Sequence, residues 1–320
     1  MSGPLRREVR VEAPARLHLG FLDLGGGDRR FGSVGLTLEE ISCRVRAAPA
    51  QVQAVDGAQR ERVEHYVRLL RERFGFIARF NLVVEQAIPE HAGLGSGTQL
   101  ALAVATAVAN LLQVSWPAGE IAGALARGNR SGIGIGAFEQ GGFLVDGGRG
   151  QGDRVPPIVS RMAFPEAWRV VLILDRQILG LHGAQEIAAF SALPAFPRAT
   201  AEHLCHLVLL QALPALAEND ITLFGSAINE LQQIVGDYFA PAQGGRYSSP
   251  LVAETLAWLQ AQGVACVGQS SWGPTGFALV DSHPTATALA QAGQMRAGGS
   301  GRLRFVVCRG RNRGHEINSL

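Results

Sequence analysis

Hydrophobic and polar positions alternate through much of the first half of the chain, as they do in strands with one buried face. The strands that this alternation predicts span residues 9–13, 35–38, 41–47 and 78–85. Apolar residues at helical spacing, from Val63 to Phe74, predict an amphipathic helix with a charged outer face. Two further helices are predicted, one over 98–113 and one that begins at Pro117. Strands come first and helices pack on one face, which indicates an α+β fold rather than regular βαβ alternation.

The pattern in the second half indicates a small sheet with helices on one face. It predicts strands at 168–175, 265–269, 277–281 and 304–308, and helices at 202–216, 221–235, 251–262 and 286–295. A polar stretch rich in Gly and Pro, 147–157, separates the two halves and is expected to be a linker. We therefore expect two domains, residues 1–155 and 156–320.

Composition and charge exclude several classes of protein. The 320 residues are 47% hydrophobic, which is ample for packed cores, and the formal net charge of +2 argues against a nucleic-acid-binding protein. Residues 1–10 are polar and Arg-rich, without the apolar segment of a signal peptide. The longest apolar run, 100–112, is shorter than the about 20 residues that span a bilayer. We expect a cytoplasmic protein with neither membrane nor nucleic-acid partners.

The chain contains no lysine, so all 29 of its basic residues are arginine. This excludes a Schiff-base lysine, the lysine that holds pyridoxal phosphate, and the lysine of a P-loop. Anionic groups must instead be held by arginine, backbone amides or a metal ion. The four cysteines stand far apart without a C-x-x-C pair, so we expect reduced thiols rather than a disulfide or zinc framework.

A glycine-rich segment between the strand 78–85 and the helix 98–113 has the composition of an anion-binding loop. Gly93, Gly95 and Gly97 allow positive φ angles and a close approach of the backbone to a ligand. Ser96 or Thr98 is expected to cap the following helix, whose first amides and positive dipole end would then face the loop. This arrangement suits a phosphate, although an ordinary glycine-rich turn has the same composition.

Three other segments bring polar side chains together with glycine. The first follows the strand at residue 13 and contains Arg16, His18 and Asp23. The second, 127–148, is predicted to form a ligand-facing loop followed by a strand. Its polar residues include Arg127, Arg130, Ser131, Glu139 and Asp146. The third is the turn 270–276 between two predicted strands, with Ser271, Gly273 and Thr275.

The order of these motifs resembles the GHMP superfamily, which includes galactokinase, homoserine kinase and mevalonate kinase. The segment Pro89-x-x-x-Gly93-Leu94-Gly95-Ser96-Gly97 resembles the loop that holds a nucleotide's phosphates in that superfamily. The resemblance implies a two-domain fold, with a ribosomal-S5-domain-2-like N-terminal half and a ferredoxin-like C-terminal half. GHMP kinases carry Ser-Gly-Ile-Asp or a close variant in the second motif, and that Asp is their catalytic carboxylate. Here the position is Gly134.

Within the superfamily, segments 15–21, 127–148 and 268–275 resemble the β-ribofuranosylaminobenzene 5′-phosphate synthases. Those enzymes begin methanopterin biosynthesis, a pathway of one-carbon metabolism. They join 4-aminobenzoate to phosphoribosyl pyrophosphate (PRPP) and release CO₂ and pyrophosphate. The resemblance implies the same decarboxylating pentosyl transfer here, with Mg²⁺ on the phosphates and without pyridoxal phosphate or ATP. It also implies a homodimer.

Such a reaction needs groups that stabilise departing pyrophosphate and groups that hold the aromatic acid. Residues expected to bind a phosphate of the donor are Gly93, Gly95, Ser96, Gly97 and Thr98. Residues expected at the reacting centre or a second phosphate are Arg130 and Ser131. Residues expected along the aromatic or ribose side are Arg16, His18 and Asp23, with Asp23 also a Mg²⁺ contact. Further binding candidates are Glu139, Ser271, Gly273 and Thr275.

Two other functions fit the sequence. An ATP-dependent GHMP kinase could take its carboxylate from elsewhere, such as Asp23 or Glu139, and would then turn over ATP. A non-catalytic member could sense a small ligand, with saturable binding and no turnover. Gly134 favours the synthase, because that chemistry needs no strong base for a hydroxyl group whereas phosphoryl transfer to an alcohol does.

Overall fold

The computed structural model describes residues 8–25, 27–152, 154–180, 183–298 and 301–319. Its larger sheet has seven strands, most of them antiparallel, with the order β11-β1-β2-β4-β3 and with β5 on β2 and β6 on β5. The strands are β1 Val9–Phe21, β2 Ser33–Pro49, β3 Ala54–Gly57, β4 Phe80–Gln86, β5 Phe143–Asp146, β6 Ile158–Met162 and β11 Glu316–Ser319. The two early strands predicted at 35–38 and 41–47 form the single long strand β2.

Four helices accompany this sheet, namely α1 Arg60–Phe74, α2 Ser96–Leu111, α3 Ala118–Ala124 and α4 Ile133–Glu139. Helix α2 lies against β1 and β2 and is buried along nearly its whole length. Its apolar residues surround the helix rather than forming one stripe, which is why the sequence shows a continuous apolar run there. Among the helices of the described residues, none is both long enough and apolar enough to cross a membrane.

The smaller sheet is antiparallel, with the strand order β10-β7-β9-β8. Its strands are β7 Arg169–Asp175, β8 Cys266–Gln269, β9 Gly276–Val280 and β10 Leu303–Cys308. The helices of this half are α5 Gly183–Ala192, α6 Arg198–Leu207, α7 Leu213–Glu218, α8 Ile221–Gln243, α9 Pro250–Ala261 and α10 His283–Arg296, with a π-helical segment, Val208–Ala212, between α6 and α7. This strand order is that of the ferredoxin-like fold, so the α+β class and the ferredoxin-like C-terminal half are confirmed.

Helices cover both faces of the smaller sheet rather than one. Val171 and Ile173 of β7 pack with α9 and α10 in one apolar cluster. Val170 and Leu172 point the other way, into the large core that includes α8 and the first sheet. The apolar run of β7 is therefore buried on both faces, because α8 fills the space between the two sheets.

The chain does not divide between the sheets at one position. Strand β6 follows residue 155, and so does β11, yet both belong to the larger sheet. Arg311 anchors the segment before β11, because its fully buried guanidinium pairs with Glu39 at 3.0 Å and with Glu316 at 3.0 Å. A domain boundary between residues 155 and 156 stays a prediction.

Candidate active site

The glycine-rich loop forms the N-terminal end of α2. Gly95 is the N-cap residue, with φ of +83°, and its carbonyl accepts the amides of Thr98 and Gln99. The expectation that Ser96 or Thr98 caps the helix is wrong, because this cap needs a left-handed backbone, which glycine adopts without strain. The side chain of Ser96 instead lines an open cleft, beside the first amides of the helix.

Three sequence motifs meet at this loop. The hydroxyl of Ser270 donates to the carbonyl of Gly93 at 2.7 Å and accepts the amide of His18 at 3.0 Å. The amide of Ser271 donates to the carbonyl of His18 at 3.0 Å. Arg16 donates its amide to Leu94 and its guanidinium to the carbonyl of Gly93. A side chain at Gly93 would collide with the carbonyl of Ser270, so glycine permits this contact.

The three motifs enclose a cleft of about 430 Å³. Arginines, loop residues and the third motif line it, together with Gly180 and Gly183. The other lining residues are Arg16, Arg62, His91, Gly93, Gly95, Ser96, Gly97, Thr98, Arg127, Ser271, Trp272 and Gly273. No carboxylate is among the described residues that line the cleft. The cleft therefore presents positive charge and backbone amides to a ligand.

Two of the arginines are held against the loop without a carboxylate partner in the described chain. Desolvation lowers the pKa of Arg16 to about 10, and its Nε atom has no hydrogen-bond partner. Arg127 donates to the hydroxyl of Tyr66 and lies beside Gly97, and its Nε atom is also without a partner. Both side chains are only partly buried at the edge of the cleft, and two guanidinium groups with no carboxylate partner among the described residues favour a bound anion.

An aromatic cluster lies on the other side of the third motif. The ring of Phe190 stacks on Trp272 at 4.9 Å, and the guanidinium of Arg130 lies 4.4 Å from the centre of Phe190. Beside this cluster, His18 lines a small cavity of about 20 Å³ that also includes Trp272. Burial, and next the charge of Arg16, lower the pKa of His18 to about 3. The imidazole is therefore neutral near pH 7.

Ser131 belongs to a buried hydrogen-bond network that closes the second motif. Its hydroxyl contacts Ser33 at 2.7 Å and donates to Asp146 at 3.0 Å. The carboxylate of Asp146 also accepts the amides of Gly132 and Gly148. Burial raises the pKa of Asp146, and these hydrogen bonds oppose that shift. Both Ser131 and Asp146 therefore hold the loop that carries Arg130.

Six of the predicted site residues do not line the cleft. His18, Arg130 and Ser131 lie in the neighbouring groups just described, and the other three lie elsewhere. Asp23 lies in the turn after β1, where its carboxylate accepts the amide of Gly25. Glu139 lines a separate cleft with Trp116 and His315, and burial raises its pKa. Thr275 is fully buried beneath the third motif. Within the described chain no group of three or more His, Cys, Asp or Glu could hold a metal ion, so Asp23 does not belong to such a cluster.

Helix α4 stands where the sequence predicts a loop. It contains Gly134, at the position of the kinase carboxylate, and a Cβ atom there would lie 3.1 Å from Cγ2 of Thr98. The carbonyl of Gly134 accepts the side chain of Gln99 at 2.7 Å. The glycines of α4 allow this helix to pack closely on the start of α2. The high glycine content here therefore indicates close helix packing rather than an open loop.

Arg62, Arg127, Tyr66 and Trp272 are cleft or supporting residues that the sequence-based site prediction did not include. Arg127 begins the second motif, and a basic residue at that point was the available signal. Arg62 and Tyr66 come from α1, whose charged face indicates only solvent exposure. Nothing in the sequence pairs that helix with the loop, because their contact depends on the tertiary fold.

Two family profiles match the chain, the GHMP kinases N terminal domain over residues 61–142 and the GHMP kinases C terminal domain over residues 212–295. A protein of Methanothermobacter thermautotrophicus named beta-ribofuranosylphenol 5′-phosphate synthase is 32% identical, over 96% of this chain and 98% of its own. A protein of the same name from Archaeoglobus fulgidus is also 32% identical, over 97% and 99%.

Solved structures share the fold. Homoserine kinase from Cytophaga hutchinsonii superposes with a TM-score of 0.70 at 16% identity, covering 99% of both chains. Mevalonate diphosphate decarboxylase from Staphylococcus aureus gives 0.66 at 15% identity, covering 98% of both. With these matches and the convergence of its three motifs, the chain belongs to the GHMP superfamily and, within it, to the family of the β-ribofuranosylphenol 5′-phosphate synthases, and it is an enzyme.

Proposed function

We propose that this enzyme joins PRPP to 4-aminobenzoate, with loss of CO₂ and pyrophosphate, to form a C-riboside in tetrahydromethanopterin biosynthesis. The observation that carries the proposal is a cleft lined by Arg16 and Arg127, with no carboxylate among its described lining residues. Such a cleft suits a polyanionic leaving group. Its described lining residues include no carboxylate that could act as the base for an alcohol in kinase chemistry.

The reaction breaks the bond between the ribose C1 and pyrophosphate and forms a bond from C1 to the ring carbon that bears the carboxylate. The C–CO₂ bond then breaks, and its electron pair restores the aromatic ring. The guanidinium groups and the first amides of α2 would stabilise the negative charge that develops on pyrophosphate. Mg²⁺ would enter as part of the substrate, on the donor's own phosphates.

The relatives' name contains a phenol where our proposal has an aniline. A para hydroxyl group donates electrons to the ring as a para amino group does, so 4-hydroxybenzoate is the second candidate acceptor. Arg130, stacked on Phe190 above the aromatic cluster, is the cation that we assign to the acid's carboxylate or to the second phosphate.

The kinase alternative loses support because its two candidate carboxylates, Asp23 and Glu139, lie outside the cleft. The sensor alternative loses support because the relatives are enzymes. A homodimer and a cytoplasmic location stay predictions.

The test measures CO₂ release from carboxyl-labelled 4-aminobenzoate and 4-hydroxybenzoate, with Mg²⁺ and with or without PRPP. We expect PRPP-dependent release with an equal amount of pyrophosphate, and the preferred acid identifies the acceptor. Parallel reactions with ATP and small alcohols test the kinase. ATP turnover without CO₂ release would contradict the proposal. Near-normal CO₂ release by both Ser96→Ala and Arg130→Ala would contradict the residue assignments.

A further inference from the structure

His18 has a buried imidazole whose ring packs on Phe21 at 4.5 Å but whose two nitrogens have no partner among the described residues. The residue is 3% exposed. Its backbone, in contrast, is fully engaged by Ser270 and Ser271. Buried polar groups in native proteins are nearly always hydrogen-bonded, so an imidazole with two unbonded nitrogens indicates a partner that comes from outside the chain.

The cavity beside His18 restricts what that partner can be. Its volume of about 20 Å³ holds one water-sized group and excludes an aromatic ring. Trp272 lines this cavity with its indole N–H buried and also unbonded. Trp272 and Ser271 line the phosphate cleft as well, so the cavity adjoins that cleft. A ligand that enters this cavity can therefore place one small polar group in it while its larger part stays outside.

We propose that this cavity receives the para amino or hydroxyl group of the aromatic acid, and that His18 accepts a hydrogen bond from it. This inference rests on the proposed function and adds to it a residue that determines acceptor specificity. A neutral imidazole has one nitrogen that accepts and one that donates. The low pKa of His18, about 3, keeps the imidazole neutral and able to accept.

The chemistry makes this hydrogen bond stronger as the reaction proceeds. When the ring carbon bonds to the ribose C1, the ring loses its aromaticity and positive charge spreads to the para nitrogen or oxygen. The N–H or O–H of that group then becomes a better donor to His18, so the contact stabilises the transition state more than the ground state. Loss of CO₂ returns an electron pair to the ring. The proton stays on the substituent, and no net transfer to His18 occurs.

The inference predicts a definite acceptor profile. Acids with a small para donor, 4-aminobenzoate and 4-hydroxybenzoate, fit the cavity and bond to His18. 4-Methoxybenzoate lacks the donor and is larger, and 4-dimethylaminobenzoate keeps the electron donation but cannot enter so small a space. Reactivity alone would rank the dimethylamino acid among the best acceptors, so its exclusion separates recognition from electronic effects.

The experiment compares the wild-type enzyme with His18→Leu, His18→Gln and the exposed control His65→Leu. We expect His18→Leu to lower kcat at least about tenfold, with PRPP affinity by calorimetry unchanged. His18→Gln, which keeps an acceptor, should recover part of the rate, and His65→Leu should match wild type. Unchanged kcat and unchanged acceptor profile in His18→Leu would overturn the inference.

A second measurement separates failure of the proposed function from failure of the inference about His18. If the wild type releases no CO₂ from either acid, the synthase proposal is wrong, and binding then decides the inference. The fluorescence of Trp272 should report 4-aminobenzoate binding, with a loss of affinity of at least about fivefold for 4-methoxybenzoate. His18→Leu should abolish that discrimination, and equal binding of both acids by the wild type would overturn the inference. A thermal unfolding curve shows that each variant is folded.

Discussion

Arg127 provides the sharpest test of the phosphate cleft, because its removal should weaken ligand binding and leave the stability of the fold unchanged. The change is Arg127→Met, which keeps the length of the side chain and removes its charge. The matched control is Arg62→Met. Arg62 lines the same cleft, but its side chain is 31% exposed and already pairs with Glu90 at 3.1 Å.

The magnitude follows from these environments. A buried hydrogen bond to a charged group contributes about 1.5–3 kcal/mol, which corresponds to about 10- to 150-fold in affinity. Arg127 lies beside Gly97 with an unbonded Nε atom. Arg127→Met should therefore lose this full amount of binding free energy. The half-buried pair of Arg62 should contribute less than about 1 kcal/mol, or under about fivefold.

The assay is calorimetric titration of each variant with magnesium pyrophosphate, which needs no turnover. Thermal unfolding without ligand is measured in parallel, and we expect Arg127→Met to be as stable as wild type, because the partly buried guanidinium has no carboxylate partner among the described residues to lose. Equal losses of pyrophosphate affinity in the two variants would refute the assignment. A large loss of stability in Arg127→Met alone, with affinity unchanged, would make Arg127 a structural residue.

Three further predictions concern stability. Gly134→Ala places a Cβ 3.1 Å from Thr98 and should lower the free energy of unfolding by about 1–2 kcal/mol, a loss that Thr98→Ser should relieve. The low pKa of His18 means that the unfolded chain binds a proton that the native state does not. Stability should therefore fall as pH decreases from about 6.5 towards about 3, by up to about 1.4 kcal/mol per pH unit, and His18→Gln should flatten this profile. Arg311→Met removes a buried guanidinium from Glu39 and Glu316, which both keep Arg313 as a partner, and should cost about 1.5–3 kcal/mol in urea unfolding.

Each of these predictions has a control. Gly123→Ala adds a Cβ into open space on α3 and should be neutral or slightly stabilising, so equal destabilisation at both glycines would contradict the packing argument. For the pH profile, the control is a substitution of the exposed His65. If His18→Gln leaves the slope of stability against pH unchanged, the assignment of that slope to His18 is wrong. Arg309→Met removes an exposed partner of Glu40 and should cost under about 1 kcal/mol.

The sequence predicts best those elements whose buried residues form a regular pattern or an apolar run within a short stretch of chain. Strands β1, β4 and β7 and helices α1, α2 and α9 have clear periodicity or apolar runs, and the phosphate loop has distinctive glycines. Helix α4 was not predicted because its glycines have poor helix propensity, and tertiary packing on α2 outweighs that preference.

The rest of the site depends on contacts between residues that lie far apart in the sequence. Arg127 and Arg130 are equivalent in the sequence, three residues apart in one motif. Only the fold directs Arg127 to the loop through Tyr66 and Arg130 to the aromatic cluster through Phe190. The sequence also does not reveal the contacts of Ser131. Its hydroxyl, predicted to lie at the reacting centre, donates a hydrogen bond to Asp146 and holds the loop.

The pairing of β11 with β1 also has a consequence for how the protein is made. Val9 pairs with Ser319, so the partner of β1 is synthesised about 300 residues after β1 itself. At typical rates of about 5–20 residues per second, β1 waits roughly 15–60 s with one edge unpaired. An unpaired strand edge is a template for wrong association, so nascent chains should need protection longest at this edge. The ion pair between Arg311 and Glu316 then helps to hold β11 in place once it has paired.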